Sequence, residues 1–195
     1  DLIEDIDKSI NALDQSYLFI QGPPGTGKTY ITGKVIHDLI KKGKKVAISS
    51  NSHKVIHNLL DRIEEFSKSS KLKYVGIKKS TSGNKESEFI SSNISSLNKT
   101  TDSKNPDLLL IPDNVQLFAA TKYELCKPVY GEKFDYIFID EAGQISIADM
   151  IVSIHTRSNK VYICYVPNLA FWANWVRLNV LFFSKINNVI NLSDR

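Results

Sequence analysis

Cysteine is scarce in this chain: Cys126 and Cys164 are the only two among 195 residues, and they form no CxxC pair. That excludes a disulfide framework and a cysteine-based zinc site, and it fits a reducing cytoplasm. Arginine is scarce as well. Arg62, Arg157, Arg177 and Arg195 are the full set, so lysine carries most of the basic side of the +4 net charge. A balance that small permits a nucleic-acid partner without requiring one. The opening Asp1-Leu2-Ile3-Glu4-Asp5 has no basic n-region and no apolar core, so no signal peptide is visible. No internal repeat is evident, and glycine is absent after Gly143. What is present is ordinary: 42% hydrophobic and 24% charged residues, enough to bury a core in one domain. Collagen, coiled coil, secreted mini-protein and membrane channel are excluded.

Apolar runs alternate with helical patterns. Tyr17–Ile20 reads as a buried strand that enters a Gly/Pro turn at Gly22–Gly27. Beyond it Ile31, Val35, Ile36, Leu39 and Ile40 recur at helical spacing, with Gly43 just past the last turn. Val46–Ser49 is a second strand, followed by an amphipathic helix carrying Val55, Ile56, Leu59, Leu60, Ile63 and Phe66. This rhythm predicts an α/β fold, a parallel sheet with helices on both faces. Residues 67–105 break it, with 11 serines and 8 lysines against Glu86, Glu88 and Asp102. A flexible or loosely folded insertion with a positive field is expected there, either a solvated excursion or a nucleic-acid contact. Order resumes with apolar runs at 108–111 and 115–120, a short helix at 122–125, a strand Tyr136–Ile139, a helix 145–154 and a strand 161–166.

Gly22-Pro23-Pro24-Gly25-Thr26-Gly27-Lys28-Thr29 satisfies G-x-x-x-x-G-K-[ST] between a predicted strand and a predicted helix. Such glycines let backbone N–H groups turn inward around phosphate oxygens, and the helix N-terminus adds positive potential. Lys28 is expected to reach the β- and γ-phosphates of ATP, and the Thr29 hydroxyl to complete a Mg²⁺ shell. Absent that context, the segment would be an ordinary Gly/Pro turn. The apolar strand Tyr136–Ile139 delivers Asp140 and Glu141 at its carboxyl end. Ligands bind at that edge of open parallel sheets, so the pair should face the loop. Asp140 is expected to hold Mg²⁺ and Glu141 to orient or deprotonate the attacking water. The bland alternative is two acids that cap a strand.

The loop alone also suits ring-forming AAA+ ATPases. Asp140-Glu141-Ala142-Gly143-Gln144, however, resembles motif II of superfamily 1 helicases, Ser49-Ser50-Asn51-Ser52-His53-Lys54 resembles motif Ia, and Ala119-Ala120-Thr121 resembles motif Ic. The set is similar to the branch of the nonsense-mediated-decay helicases and their DNA-end-processing relatives. Residues 21–30 and 49–60 look closest to bacterial proteins that fuse such a helicase to a RecB-like nuclease. The resemblance covers about residues 15–166. It implies a single RecA-like P-loop NTPase lobe over 1–166, with Lys28, Glu141 and Gln144 catalytic. Gln144 would touch the γ-phosphate or water and couple nucleotide state to the strand. It also implies that Ser50, Asn51, Ser52, His53 and Thr121 contact the backbone of single-stranded DNA or RNA. Without a strand, Asn51 or Ser52 would serve simply as a helix cap.

The sequence departs from that family in three ways. No glutamine precedes the loop at the spacing of an adenine-reading motif. A Gly-Asp-x-x-Gln-Leu turn is due after the strand at 161–163, where Cys164-Tyr165-Val166-Pro167-Asn168-Leu169 stands instead. The remainder, 167–195, is aromatic-rich between Leu169 and Phe183 and reads as a buried or interface helix, a degenerate end or an out-of-frame tail. Finally, a second RecA-like lobe with its arginines is expected to be missing from this chain. Arg157 and Arg177 are conceivable stand-ins, and a fused nuclease domain is a further expected partner. The rival readings are an AAA+ or other P-loop ATPase acting on protein, and a non-catalytic nucleotide-binding remnant.

Overall fold

The structure, a computed structural model, describes residues 2–13, 17–22, 25–97, 111–125, 127, 130, 133–142, 162–166 and 189–191. Its strands are β1 (Tyr17–Gln21), β2 (Val46–Ser50), β3 (Gly76–Lys79), β4 (Ile94–Leu97), β5 (Leu117–Thr121), β6 (Tyr136–Ile139), β7 (Tyr162–Val166) and β8 (Val189–Asn191). They form one sheet in the order β4-β3-β5-β2-β6-β7-β1-β8. All the described pairings are parallel. The helices are α1 (Leu2–Asn11), α2 (Lys28–Lys41), α3 (His53–Ser70) and α4 (Lys122–Leu125).

Two hydrophobic cores, one per face, hold the sheet. Val46, Ile48, Leu117, Ala119, Tyr136 and Phe138 pack with α1, α2 and α3 residues such as Ile6, Val35, Ile36, Leu59 and Ile63. The alternate residues Ala47, Phe118, Ala120, Ile137 and Ile139 pack on the other face with Leu125, Tyr130 and Phe134. Burial on both faces is why these strands read as continuous apolar runs rather than alternating ones. In α3 the residues Ile56, Leu59, Leu60 and Ile63 recur at helical spacing and are all buried. Ser52 starts that helix, its Oγ accepting from the Val55 N–H at 3.3 Å.

The expectation of a loose insertion at 67–105 is corrected over 67–97. The stretch contains the end of α3, the edge strands β3 and β4 and a short 3-10 turn at Lys85–Ser87. Sparse but well-placed contacts order it. Tyr74 and Ile94 join the core of the helix-bearing face. The Tyr74 hydroxyl donates to Glu64 Oε1 at 2.5 Å, and Asn93 Nδ2 donates to the same oxygen at 3.1 Å. Several of the serines serve backbone ends: Ser87 Oγ accepts from the Thr81 N–H at 2.8 Å, and Ser67 donates to the Ile63 carbonyl at 2.8 Å. Residues 98–105 lie outside the described residues, as do the expected helix at 145–154 and all but Ile111 of the apolar run expected at 108–111. Within the stretch 167–195, Val189–Asn191 runs parallel to β1 as an outer strand.

α2 and α3 lie side by side, and at their crossing there is room only for glycine. A Cβ at Gly33 would stand 2.9 Å from the Cβ of Arg62 and 3.6 Å from its carbonyl carbon. Gly33→Val should therefore lower stability by roughly 1–3 kcal/mol, measured as a drop in the urea midpoint. An unchanged midpoint would contradict this packing.

Candidate functional site

The loop after β1 turns on backbone that only glycine takes cheaply: φ is +87° at Gly25 and +79° at Gly27, the N-cap of α2. The turn ends at the start of α2, whose first N–H groups have no intrahelical partner and carry the positive end of the helix dipole. Lys28 is the first residue of that helix, and its Nζ reaches back to donate to the Gly22 carbonyl at 2.5 Å. In this pose the ammonium lies across its own loop. Burial pushes its pKa down, and the nearby Asp140 charge opposes that shift.

Asp140 follows β6 and is 7% exposed. Burial holds its carboxyl above the usual range and the charge of Glu141 adds to this; the Glu141 N–H, which donates to Asp140 Oδ1 at 2.9 Å, and Lys28 oppose it. Glu141 adopts φ +52°, left-handed backbone that a non-glycine residue takes only when its surroundings enforce it. Gly25, Gly27, Lys28, Thr29, Asp140 and Glu141 line one cavity of about 410 Å³. The structure thus brings together the loop and the acidic strand end, as expected. Thr26 is half-buried. Pro23, Pro24 and Gln144 lie outside the described residues.

A divalent cation fits this donor set. The Asp140 carboxylate is buried, its charge incompletely offset by Lys28, and the Thr29 hydroxyl lines the same space; hard oxygen donors of this kind suit Mg²⁺. Among the described residues no cluster of three or more His, Cys, Asp or Glu could hold a metal alone. The remaining ligands would have to be water and phosphate oxygens, the usual arrangement for Mg²⁺.

The residues expected at a nucleic-acid strand gather on the same sheet edge, because Ser50 and Thr121 are paired across β2 and β5. Ser50, however, is 0% exposed, its Oγ buried, so its side chain reaches no strand. That expectation is corrected: a central strand with both faces covered hides every side chain up to its last residue. Asn51, His53 and Thr121 are half-buried, and Ser52 is engaged as the helix cap. His53 Nδ1 accepts from the buried Lys78 ammonium at 2.8 Å, which leaves Nε2–H to donate to Thr81 Oγ1 at 3.1 Å. Burial and the Lys78 charge, with a contribution from His57, push the His53 pKa down to about 4.

Sequence reasoning placed Val55 on the apolar face of α3 and missed Asn58 and Arg62, which with Val55 and with Tyr30 of α2 also line the 410 Å³ cavity. The available signal was a polar pair, Asn58 and Arg62, at i and i+4 beside the apolar face of α3. In a helix met alone such a pair reads as solvated surface.

Residues 1–165 match the family described as Type III restriction enzyme, res subunit (ResIII). The chain belongs to this family. Among curated proteins, the chain is 30% identical over 147 residues to the DNA replication ATP-dependent helicase/nuclease DNA2 of Saccharomyces cerevisiae, covering 74% of the chain. It is 28% identical over 137 residues to the DNA replication ATP-dependent helicase/nuclease JHS1 of Arabidopsis thaliana, covering 68%. The chain spans 9% of the length of each. Two solved structures share the fold. The UvsW helicase of bacteriophage T4 has a TM-score of 0.56 at 12% identity, over 96% of this chain and 67% of that one. A nuclease-deletion mutant of the Type ISP restriction-modification enzyme LlaGI, in complex with a DNA substrate mimic, has a TM-score of 0.55 at 20% identity, over 86% and 17%. The chain is thus a ResIII member whose single α/β lobe has the RecA-like fold of these neighbours. No helix among its described residues is long and apolar enough to cross a membrane.

The bond from Lys78 requires His53 Nδ1 to stay unprotonated in the folded state. As pH falls from 6.5 to about 4, the unfolded chain takes up a proton on His53 that the folded chain resists. Stability should therefore decline over that window and recover as pH rises through it. His53→Gln, which can still accept from Lys78, should flatten part of the slope in urea midpoints measured from pH 7 to 4. Parallel curves for the two proteins would contradict this account.

Proposed function

We propose that this lobe binds Mg²⁺-ATP in the cavity between the phosphate loop and the acidic end of β6 and hydrolyses it, and that in its parent protein hydrolysis drives movement along a single strand of DNA or RNA. The observation that carries the reading is the meeting of Lys28 and Thr29 with Asp140 and Glu141 around one space. Loop N–H groups and the α2 N-terminus would hold the β- and γ-phosphate oxygens. Lys28 would leave the Gly22 carbonyl to pair with phosphate, replacing a neutral acceptor by an anionic one. Glu141 would take the proton of the attacking water while Gln144 orients it. Thr29 and Asp140 would hold Mg²⁺, which when bound neutralises charge developing on the phosphates. At the neighbouring edge, Asn51, Ser52, His53 and Thr121 would meet the sugar–phosphate backbone, a sequence-neutral contact.

We further read the parent as a superfamily 1 helicase of the end-processing branch, working in the reducing cytoplasm. The DEAGQ sequence at 140–144 and the two helicase/nuclease relatives support this. On this reading a second RecA-like lobe supplies further cations, so the 195-residue chain should turn over slowly.

Lys28→Ala should abolish ATP binding and turnover. Glu141→Gln should leave the ATP Kd within about twofold yet cut kcat by roughly 10²–10⁴. Single-stranded oligonucleotide should stimulate the wild-type rate. Turnover by Lys28→Ala equal to wild type would overturn the site; ATPase indifferent to both DNA and RNA would favour a P-loop ATPase acting on protein. Labelled ATP bound with no turnover, strand or not, would favour a binding module.

A further inference from the structure

We propose that Arg62 of α3 is a phosphate-binding residue of the nucleotide site, aimed at the terminal phosphate of a nucleoside triphosphate. The proposal rests on the ATP-site reading above. It starts from the strand order: β1, β7, β6 and β2 are consecutive in the sheet. Along the carboxyl edge the phosphate loop follows β1, the acids follow β6, and α3 follows β2. A triphosphate held by the loop with its terminal group toward Asp140 and Glu141 therefore presents that group, not the base, to α3.

α3 is positioned to meet it. Val55, Asn58 and Arg62 line the same cavity as Lys28 and Asp140. α2 and α3 both begin at the carboxyl edge of the sheet, so they run in the same direction. The guanidinium rests on Glu65, toward the C-terminal side of Arg62, but the rotamers usual in helices lean toward the helix N-terminus and would turn it toward the phosphate loop. Its backbone is fixed by the close approach at Gly33, where the gap to the Arg62 Cβ admits no side chain. Gly33 is five residues beyond Lys28, a rise of about 7.5 Å along α2. An extended arginine side chain covers that distance.

The guanidinium is also available to move. It is 49% exposed, and its Nη1 donates to Glu65 Oε2 at 2.7 Å, one turn along the same helix and itself 59% exposed. A solvated pair of that kind is weak and easily exchanged for a phosphate. The planar fork of arginine matches phosphate oxygens better than a lysine ammonium does. Arginine is otherwise scarce: in the whole sequence only three others exist, at 157, 177 and 195.

The test is equilibrium binding of Mg²⁺ with adenylyl imidodiphosphate, and separately with ADP, to the 195-residue chain and its variants. Arg62→Ala should weaken the triphosphate analogue about tenfold or more, with ADP affinity and the urea midpoint unchanged. Arg62→Lys should recover part of the loss, and Glu65→Ala should leave analogue binding at least as tight as wild type. Equal analogue affinity in wild type and Arg62→Ala would overturn the proposal, as would equal weakening of analogue and ADP. If either occurs while Lys28→Ala still abolishes binding, the ATP-site reading survives. If Lys28→Ala binds like wild type, that reading fails with it.

Discussion

Every described strand of the sheet runs parallel to its neighbours, and the position of the functional groups follows from that constraint. Parallel strands need crossover helices, which return over the faces and bury both. Each crossover begins where a strand ends, so strand carboxyl ends and helix N-termini collect on one edge. Here that edge receives the loop after β1, the acids after β6, the cap of α3 after β2 and Thr121 at the end of β5. No local feature of any one of these segments would place them together; the pairing of β2 with β5 and β6, and of β7 with β6 and β1, does so.

The electrostatics of the edge follow from its burial. Asp140 sits at the end of a strand covered on both sides, so its carboxylate is held above its usual pKa and gains from any nearby cation. Lys28 is one such cation, though its ammonium is turned onto the Gly22 carbonyl, and its own pKa is lowered by burial. A site with a desolvated anion and a desolvated cation facing one cavity is poised for a ligand carrying both signs, as a metal–phosphate complex does. The same physics operates at the sheet's β3 end, where Lys78 is wholly buried and pushed down to about 8 while donating to His53 and to the carbonyls of Lys79 and Ser87. That buried cation ties the first turn of α3 to β3 and to the turn at Lys85–Ser87.

Central elements were legible because their chemistry is local. Tyr136–Ile139 is apolar at every position and ends in two acids, and the strand has those bounds in the structure. The glycine-rich loop and Ser52 announce the starts of α2 and α3 by turn and capping chemistry. β3 and β4 escaped notice because they are four residues long and include Lys78, Lys79, Ser95 and Ser96, residues that suggest solvent until Tyr74, Glu64 and Asn93 are seen to tie them down. The N-terminal helix α1 was not foreseen either, although Ile6 and Ile10 are fully buried at i, i+4 spacing. At the site, contacts within one segment could be read, whereas Asn58 and Arg62 became visible only once α3 was laid beside α2. Ser50 failed for the converse reason: its neighbours in sequence look like a surface motif, but it ends a central strand buried at every position.

The central claim is that Asp140 and the phosphate loop together hold a divalent cation and a nucleotide. Electron paramagnetic resonance of Mn²⁺, a hard octahedral substitute for Mg²⁺, reads that claim without relying on turnover. Titrating the chain with Mn²⁺ and ATP should give a protein-bound Mn²⁺–ATP signal, absent with Mn²⁺ alone and lost or strongly weakened in Asp140→Asn. The same ternary signal from Asp140→Asn as from wild type would contradict the account.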